Sequence, residues 1–156
     1  MAVNEEANRP MLVPHLVVDD AAAALDFYAK AFDAEEMTRI PGPGGKLIHA
    51  CMRINGAQVF LNDDFPEFNC GKSSTPAALG GSAVTLHLHG PDVEARFARA
   101  LDAGATVVNP LEDQFWGDRY GVVRDPFGHL WSLAETVREV DMAELTTQMA
   151  SDGQGM

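Results

Sequence analysis

A shift of 72 residues lays this chain on itself without a gap: His15-Leu16 falls on His87-Leu88, Asp20 on Asp92, Leu25 on Phe97, Gly56 on Gly128 and Leu61 on Leu133. Few matched positions are identical, yet both helix starts and both hairpin turns coincide, as duplication followed by divergence leaves them. A chain of 156 residues with 46% hydrophobic and 22% charged residues has the size and composition of one folded domain. The repeat therefore splits one domain into two like halves.

Each half reads βαβββ. Met11 to Val18 is β-rich and ends at Asp19-Asp20. With Asp20 as N-cap and a broad apolar face of Leu25, Phe27, Tyr28, Ala31 and Phe32, the pattern predicts a helix over 21–32. Strands are expected over 35–40, 46–54 and 57–62, separated by the turn Pro41-Gly42-Pro43-Gly44-Gly45 and the hairpin signal Asn55-Gly56. The second half begins at 82–89, where Val84, Leu86 and Leu88 alternate with Thr85, His87 and His89, so one face is buried and the other polar. A helix over 93–103 closes at Gly104, followed by strands over 105–108, 119–124 and 130–134. Pro110 to Asp118 reads as a loop carrying Phe115 and Trp116, Asp125-Pro126-Phe127-Gly128 as a turn, and 142–150 as a terminal helix with Met142 and Leu145 docking. The divisions are a tail over 1–10, module one over 11–63, a connector over 64–81, module two over 82–135, and a C-terminal helix and tail over 136–156.

The 11 basic residues against 23 acidic ones give a net charge of −12, which argues against nucleic acid or an anionic membrane as partner. No apolar run reaches the ~20 residues of a membrane helix, and Met1 to Pro10 lacks a signal-peptide pattern. Cys51 and Cys70 are too few for a disulfide framework, so a reduced, cytoplasmic protein is expected.

The entry Val17-Val18-Asp19-Asp20 with Asp26-Phe27-Tyr28, and the late turn Asp125-Pro126-Phe127-Gly128-His129, resemble the vicinal oxygen chelate superfamily, which holds glyoxalase I, bleomycin-resistance proteins and extradiol dioxygenases. His49-Ala50 with Arg53-Ile54, and Gln114-Phe115-Trp116-Gly117-Asp118-Arg119, are similar to its PhnB-like branch. The resemblance spans 11–135 and implies an α+β fold in which two tandem βαβββ modules form a cupped mixed sheet around a single small-molecule cleft, in a homodimer. It also implies four metal-ligand positions on the first and last strands of the modules. Val13, Phe60, Thr85 and Ser132 occupy them here, and none is a good ligand for a divalent ion.

Strand alternation puts His15 on the face of Val13 and His87 on that of Thr85. These histidines either hydrogen-bond a ligand in a polar cleft or, with His49 or Glu135 as third ligand, form a shifted metal site. The candidate substrate-binding set is His15, His49, Phe60, Thr85, His87, Gln114, Trp116 and Arg119, with Trp116 filling core and Arg119 pairing with an aspartate as the structural reading of that loop. No catalytic residue and no cofactor is assigned. Two functions stay open: a metal-free binding protein for an oxygen-rich or aromatic metabolite, and a metal-dependent lyase, isomerase or dioxygenase using His15 and His87.

Overall fold

The computed structural model describes residues 12–153, so the tail expected over 1–10 lies outside the described residues. The first module contains β1 (His15–Val18), α1 (Ala21–Phe32), β2 (Glu35–Pro41), β3 (Leu47–Ile54) and β4 (Ala57–Asp63). The connector carries a 3-10 turn at Pro66–Phe68 and one short α-helix, α2 (Pro76–Leu79). The second module contains β5 (Thr85–His89), α3 (Val93–Ala103), β6 (Thr106–Asp113), β7 (Asp118–Arg124) and β8 (Leu130–Thr136), and α4 (Met142–Gly153) follows.

The strands form two four-stranded mixed sheets, ordered β1-β4-β3-β2 and β5-β8-β7-β6. In each, the outer first strand runs parallel to the last and the other pairs are antiparallel. His15 opposes Phe60, and His87 opposes Ser132, so the 72-residue shift holds for both partners. It slips by one residue across the hairpins, where Cys51 opposes Phe60 but Val122 opposes Ser132: the first ladder closes at Ile54 and Ala57 around Asn55-Gly56, the second at Arg124 and Leu130 around the longer turn Asp125 to His129.

Both helices lie on one face of their own sheet and pack against each other, joining the two interiors into one core. The core gathers Leu16, Val18, Met52, Ile54 and Leu61 with Leu25, Phe27, Tyr28 and Phe32 of the first module, and Leu88, Val123 and Leu133 with Val93, Phe97 and Ala100 of the second, while Trp131 crosses to Tyr28 at 5.3 Å and Phe32 at 4.7 Å between ring centroids. The helix starts reveal the duplication in chemistry as well as position. The first N–H of α1, on Ala21, donates to Asp63 Oδ1 at 2.8 Å, and that of α3, on Val93, donates to Glu135 Oε2 at 3.1 Å. Each carboxylate stands in the last strand of its module, Asp63 at its end and Glu135 one residue before it, and satisfies a donor that a helix cannot satisfy itself. Asp20 also caps α1 through Ala23 N at 3.0 Å, whereas Asp92 has φ 59° and makes no side-chain cap.

The modules are locked together by Asp125, which is 3% exposed. Its carboxylate accepts from Tyr28 Oη at 2.5 Å, Trp131 Nε1 at 2.8 Å, Phe127 N at 2.9 Å and His129 N at 3.0 Å. Burial, reinforced by the Asp125 charge, holds the Tyr28 phenol well above its ordinary pKa. His129, at the end of this turn, is half-buried and reaches the Val17 carbonyl oxygen through Nε2 at 2.9 Å.

Three local expectations change. The strand expected over 105–108 continues through Pro110 to Asp113, which is permitted because β6 is a sheet edge and its pairing is irregular between Asn109 and Glu112. Val84 precedes β5 and is exposed, so the buried face of that strand comes from Leu86 and Leu88. Met142 is exposed and no residue of α4 is buried.

Candidate functional site

The sheet faces turned away from the helices carry most of the candidate residues. On the first sheet, alternation places His15, His49, Cys51, Gln58, Phe60 and Asn62 together, because Leu16, Ala50, Val59 and Leu61 are taken by the core. The ring of Phe60 stands edge-on to His49 at 4.8 Å and to His15 at 6.0 Å between centroids, with the two imidazoles 6.2 Å apart. His15 Nε2 lies 2.5 Å from Asn62 Oδ1. Burial pushes the Cys51 thiol pKa up, against the opposing pull of Arg53, so the thiol is not activated.

On the second sheet the same face carries Thr85, His87, His89, Tyr120 and Ser132. Here the rings form a continuous series. Phe115 meets Trp116 at 4.9 Å, Trp116 meets Tyr120 at 5.7 Å, Tyr120 stacks on His87 at 6.1 Å with planes 22° apart, and His87 meets His89 at 6.1 Å. Polar groups pin this platform. His87 Nδ1 is 2.7 Å from Ser132 Oγ, and Asp118 accepts from Trp116 Nε1 at 3.1 Å and from Thr136 Oγ1 at 2.9 Å. His89 Nε2 lies 3.0 Å from the same hydroxyl.

The structure thus gathers His15, His49 and Phe60 in one group and Thr85, His87 and Trp116 in another. The groups sit on separate sheets, and no hydrogen bond or aromatic contact joins them among the described residues. Gln114 lies at the loop before the second platform, bonding the Glu112 carbonyl oxygen at 3.3 Å. Arg119 alternates to the helix side, where it is ion-paired with Asp113 at 2.6 Å and with Glu94 on α3. Its hydrogen bond holds the Asp113 carboxyl below the ordinary carboxylate pKa. Glu135, weighed as a third metal ligand, faces the helix side and caps α3. Tyr120, the link between Trp116 and His87, is not among the candidates drawn from the sequence. Its signal was strand parity with Val122.

Cavities lined by described residues include three. One of about 570 Å³ lies between α2 and the turn at 125–128, one of about 490 Å³ beside Asn55, His89 and Arg96, and one of about 290 Å³ beside Glu94, Arg119 and Glu135.

The family model for the Glyoxalase/Bleomycin resistance protein/Dioxygenase superfamily matches residues 10–133. The chain belongs to that superfamily. An uncharacterized protein of Mycobacterium bovis is 64% identical over 155 residues, spanning 99% of this chain and all of the relative. Among solved structures, an Arabidopsis thaliana gene product is 30% identical with a TM-score of 0.65, covering 81% of this chain and 99% of its own. TnmS3, described as an antibiotic binding protein from Streptomyces sp. CB03234, shares the fold at a TM-score of 0.57 and 23% identity, covering 87% of this chain and 98% of its own.

The superfamily's metal-ligand positions, as the resemblance places them, do not fit a divalent ion here. Val13 and Phe60 offer no lone pair, Phe60 is packed against both imidazoles of its sheet, and the Ser132 hydroxyl is engaged by His87. Among the described residues no three His, Cys, Asp or Glu side chains are grouped to hold a metal ion.

Proposed function

We propose that this superfamily member binds an aromatic, oxygen-bearing small molecule on its open sheet faces, without a divalent metal at the superfamily's ligand positions. The observation that carries this is the ring series Trp116, Tyr120, His87 and His89 on the second sheet, edged by hydroxyls and a carboxylate. Flat aromatic surfaces stack at centroid separations of this order, while Ser132, Thr136 and the imidazoles supply the polar contacts that select oxygens. The antibiotic binding described for TnmS3 supports the reading for the shared fold. The homodimer belongs to the same proposal: a first-sheet face of one copy set against a second-sheet face of another would bring the His15 and His87 groups around one cleft. The two cysteines are free, in keeping with a reducing cytoplasm.

The test is titration with alizarin, a flat hydroxylated anthraquinone, by tryptophan quenching and calorimetry. Saturable binding that weakens about tenfold in Trp116→Ala and in His87→Ala supports the reading, since stacking contributes about 1 kcal/mol or more per ring. Equal binding by both variants overturns it. In parallel, protein purified without a histidine tag is soaked in Ni, Zn, Fe or Mn. Stoichiometric metal that disappears in His15→Ala with His87→Ala would overturn the metal-free reading and favour the metal-dependent one. Sedimentation of the untagged protein tests the dimer, and a monomer at all concentrations removes it.

A further inference from the structure

The cavity of about 570 Å³ lies apart from both ring groups, where the connector crosses the turn of the second module. Its apolar walls include Pro76, Pro126 and the half-buried Phe127, and its charged residues are Asp19, Arg124 and Asp125. Asp125 is already committed to four donors. Arg124 and Asp19 are not: both are exposed, and among the described residues neither makes a side-chain hydrogen bond or ion pair, including with each other.

That sets Arg124 apart. The other described arginines all have partners: Arg39 has Glu36, Arg53 has Glu35, Arg96 has Asn55, Arg99 has the Lys30 carbonyl oxygen, Arg119 has Asp113 and Arg138 has the Phe115 carbonyl oxygen. In a chain with 23 acidic residues against 11 basic ones, a guanidinium with no carboxylate at the edge of a cavity is a fork left open for one. A simple anion entering here would meet the Asp19 charge, and a simple cation would meet Arg124. A ligand carrying an ammonium and a carboxylate on one carbon answers both.

We propose that this junction is a binding site for a free α-amino acid with an apolar side chain. Its carboxylate takes the Arg124 guanidinium, its ammonium takes Asp19, and its side chain lies against Pro76, Pro126 and Phe127. The volume falls in the usual range for small-molecule sites. The walls are held close, since a Cβ at Gly128 would come within 2.7 Å of Pro76 Cβ, which brings α2 against the turn. An occupant would touch both, so its binding reaches the Asp125 bonds to Tyr28 and Trp131 that couple the modules.

The experiment is calorimetric titration of the full chain with L-phenylalanine, with phenylacetate and phenethylamine as single-charge controls. Trp131 fluorescence in a Trp116→Phe background, which leaves one tryptophan, reports the junction. The expected result is saturable binding of one phenylalanine, about tenfold weaker in Arg124→Gln and in Asp19→Asn, and about tenfold weaker for either control in the unaltered protein. Because both residues are exposed, each variant keeps the parent's urea midpoint without ligand, which separates lost binding from lost fold. Absence of saturable binding overturns the proposal, as does binding that Arg124→Gln leaves unchanged or that phenylacetate matches. None of these outcomes bears on alizarin binding at the ring platform.

Discussion

Replacing Asp125 by alanine removes one carboxylate and strands four donors, two of them in places that water does not reach. Tyr28 is 0% and Trp131 1% exposed, so their O–H and N–H would lose their acceptor without gaining another. A buried donor left unsatisfied costs about 1–3 kcal/mol, which makes about 2–6 kcal/mol for the pair. The N–H groups of Phe127 and His129 belong to half-buried residues that water can reach, so they add less. Against a domain stability of about 5–15 kcal/mol, this is a large fraction. In urea, with a denaturant slope of about 2 kcal/mol/M, the midpoint should fall by about 1–3 M. The companion Tyr28→Phe loses one bond to a charged acceptor and should cost about 1.5–3 kcal/mol. If the bond links the modules, the double variant loses at least about 1 kcal/mol less than the sum of the two single losses. A midpoint within about 0.3 M of the parent for Asp125→Ala, or strictly additive losses, would refute the argument that this carboxylate holds the junction.

The same tyrosine sets an alkaline limit. Its folded pKa lies above the ordinary 10.0, so above that pH the unfolded chain gives up the proton while the folded chain keeps it. Stability is whole below pH 10.0 and then falls by up to about 1.4 kcal/mol per pH unit, a slope that urea titrations of Tyr28→Phe should show flattened. The two strand-end carboxylates should differ in weight. Asp63 accepts from Ala21 N and from Leu47 N at 2.7 Å while Glu135 accepts from Val93 N, so Asp63→Ala should lower the thermal midpoint more than Glu135→Ala, which costs about 0.5–2 kcal/mol. Gly121→Ala should destabilise by about 1–3 kcal/mol, because a Cβ there would come within 2.7 Å of Phe97 Cε2 and 3.1 Å of the Leu111 Cα. An unchanged melting temperature would mean that α3 and β6 shift freely.

Much of this architecture was legible in one dimension because the signals are local or repeated. Apolar spacing in 21–32 and 93–103, the Asn55-Gly56 hairpin and the alternation around His87 depend on neighbours within a few residues, and the 72-residue register copied them. Edge position was not legible, so Pro110 read as the start of a loop although it lies within β6 at the sheet edge. Nor was the direction of Arg119 and Glu135: a polar residue beside a candidate loop or at a strand end reads as a site residue until the packed helix is seen to use it.

The sequence alone determined two βαβββ modules and which residues share each strand face, since period-2 and period-3.6 patterns are written residue by residue. The tertiary structure decided what those residues meet. It stacked Tyr120 between Trp116 and His87, packed the Phe60 ring on two histidines, and set Arg124 and Asp19 on the wall of one cavity. Such partners are set by distance in space, and the chain closes those distances only when its two modules pack.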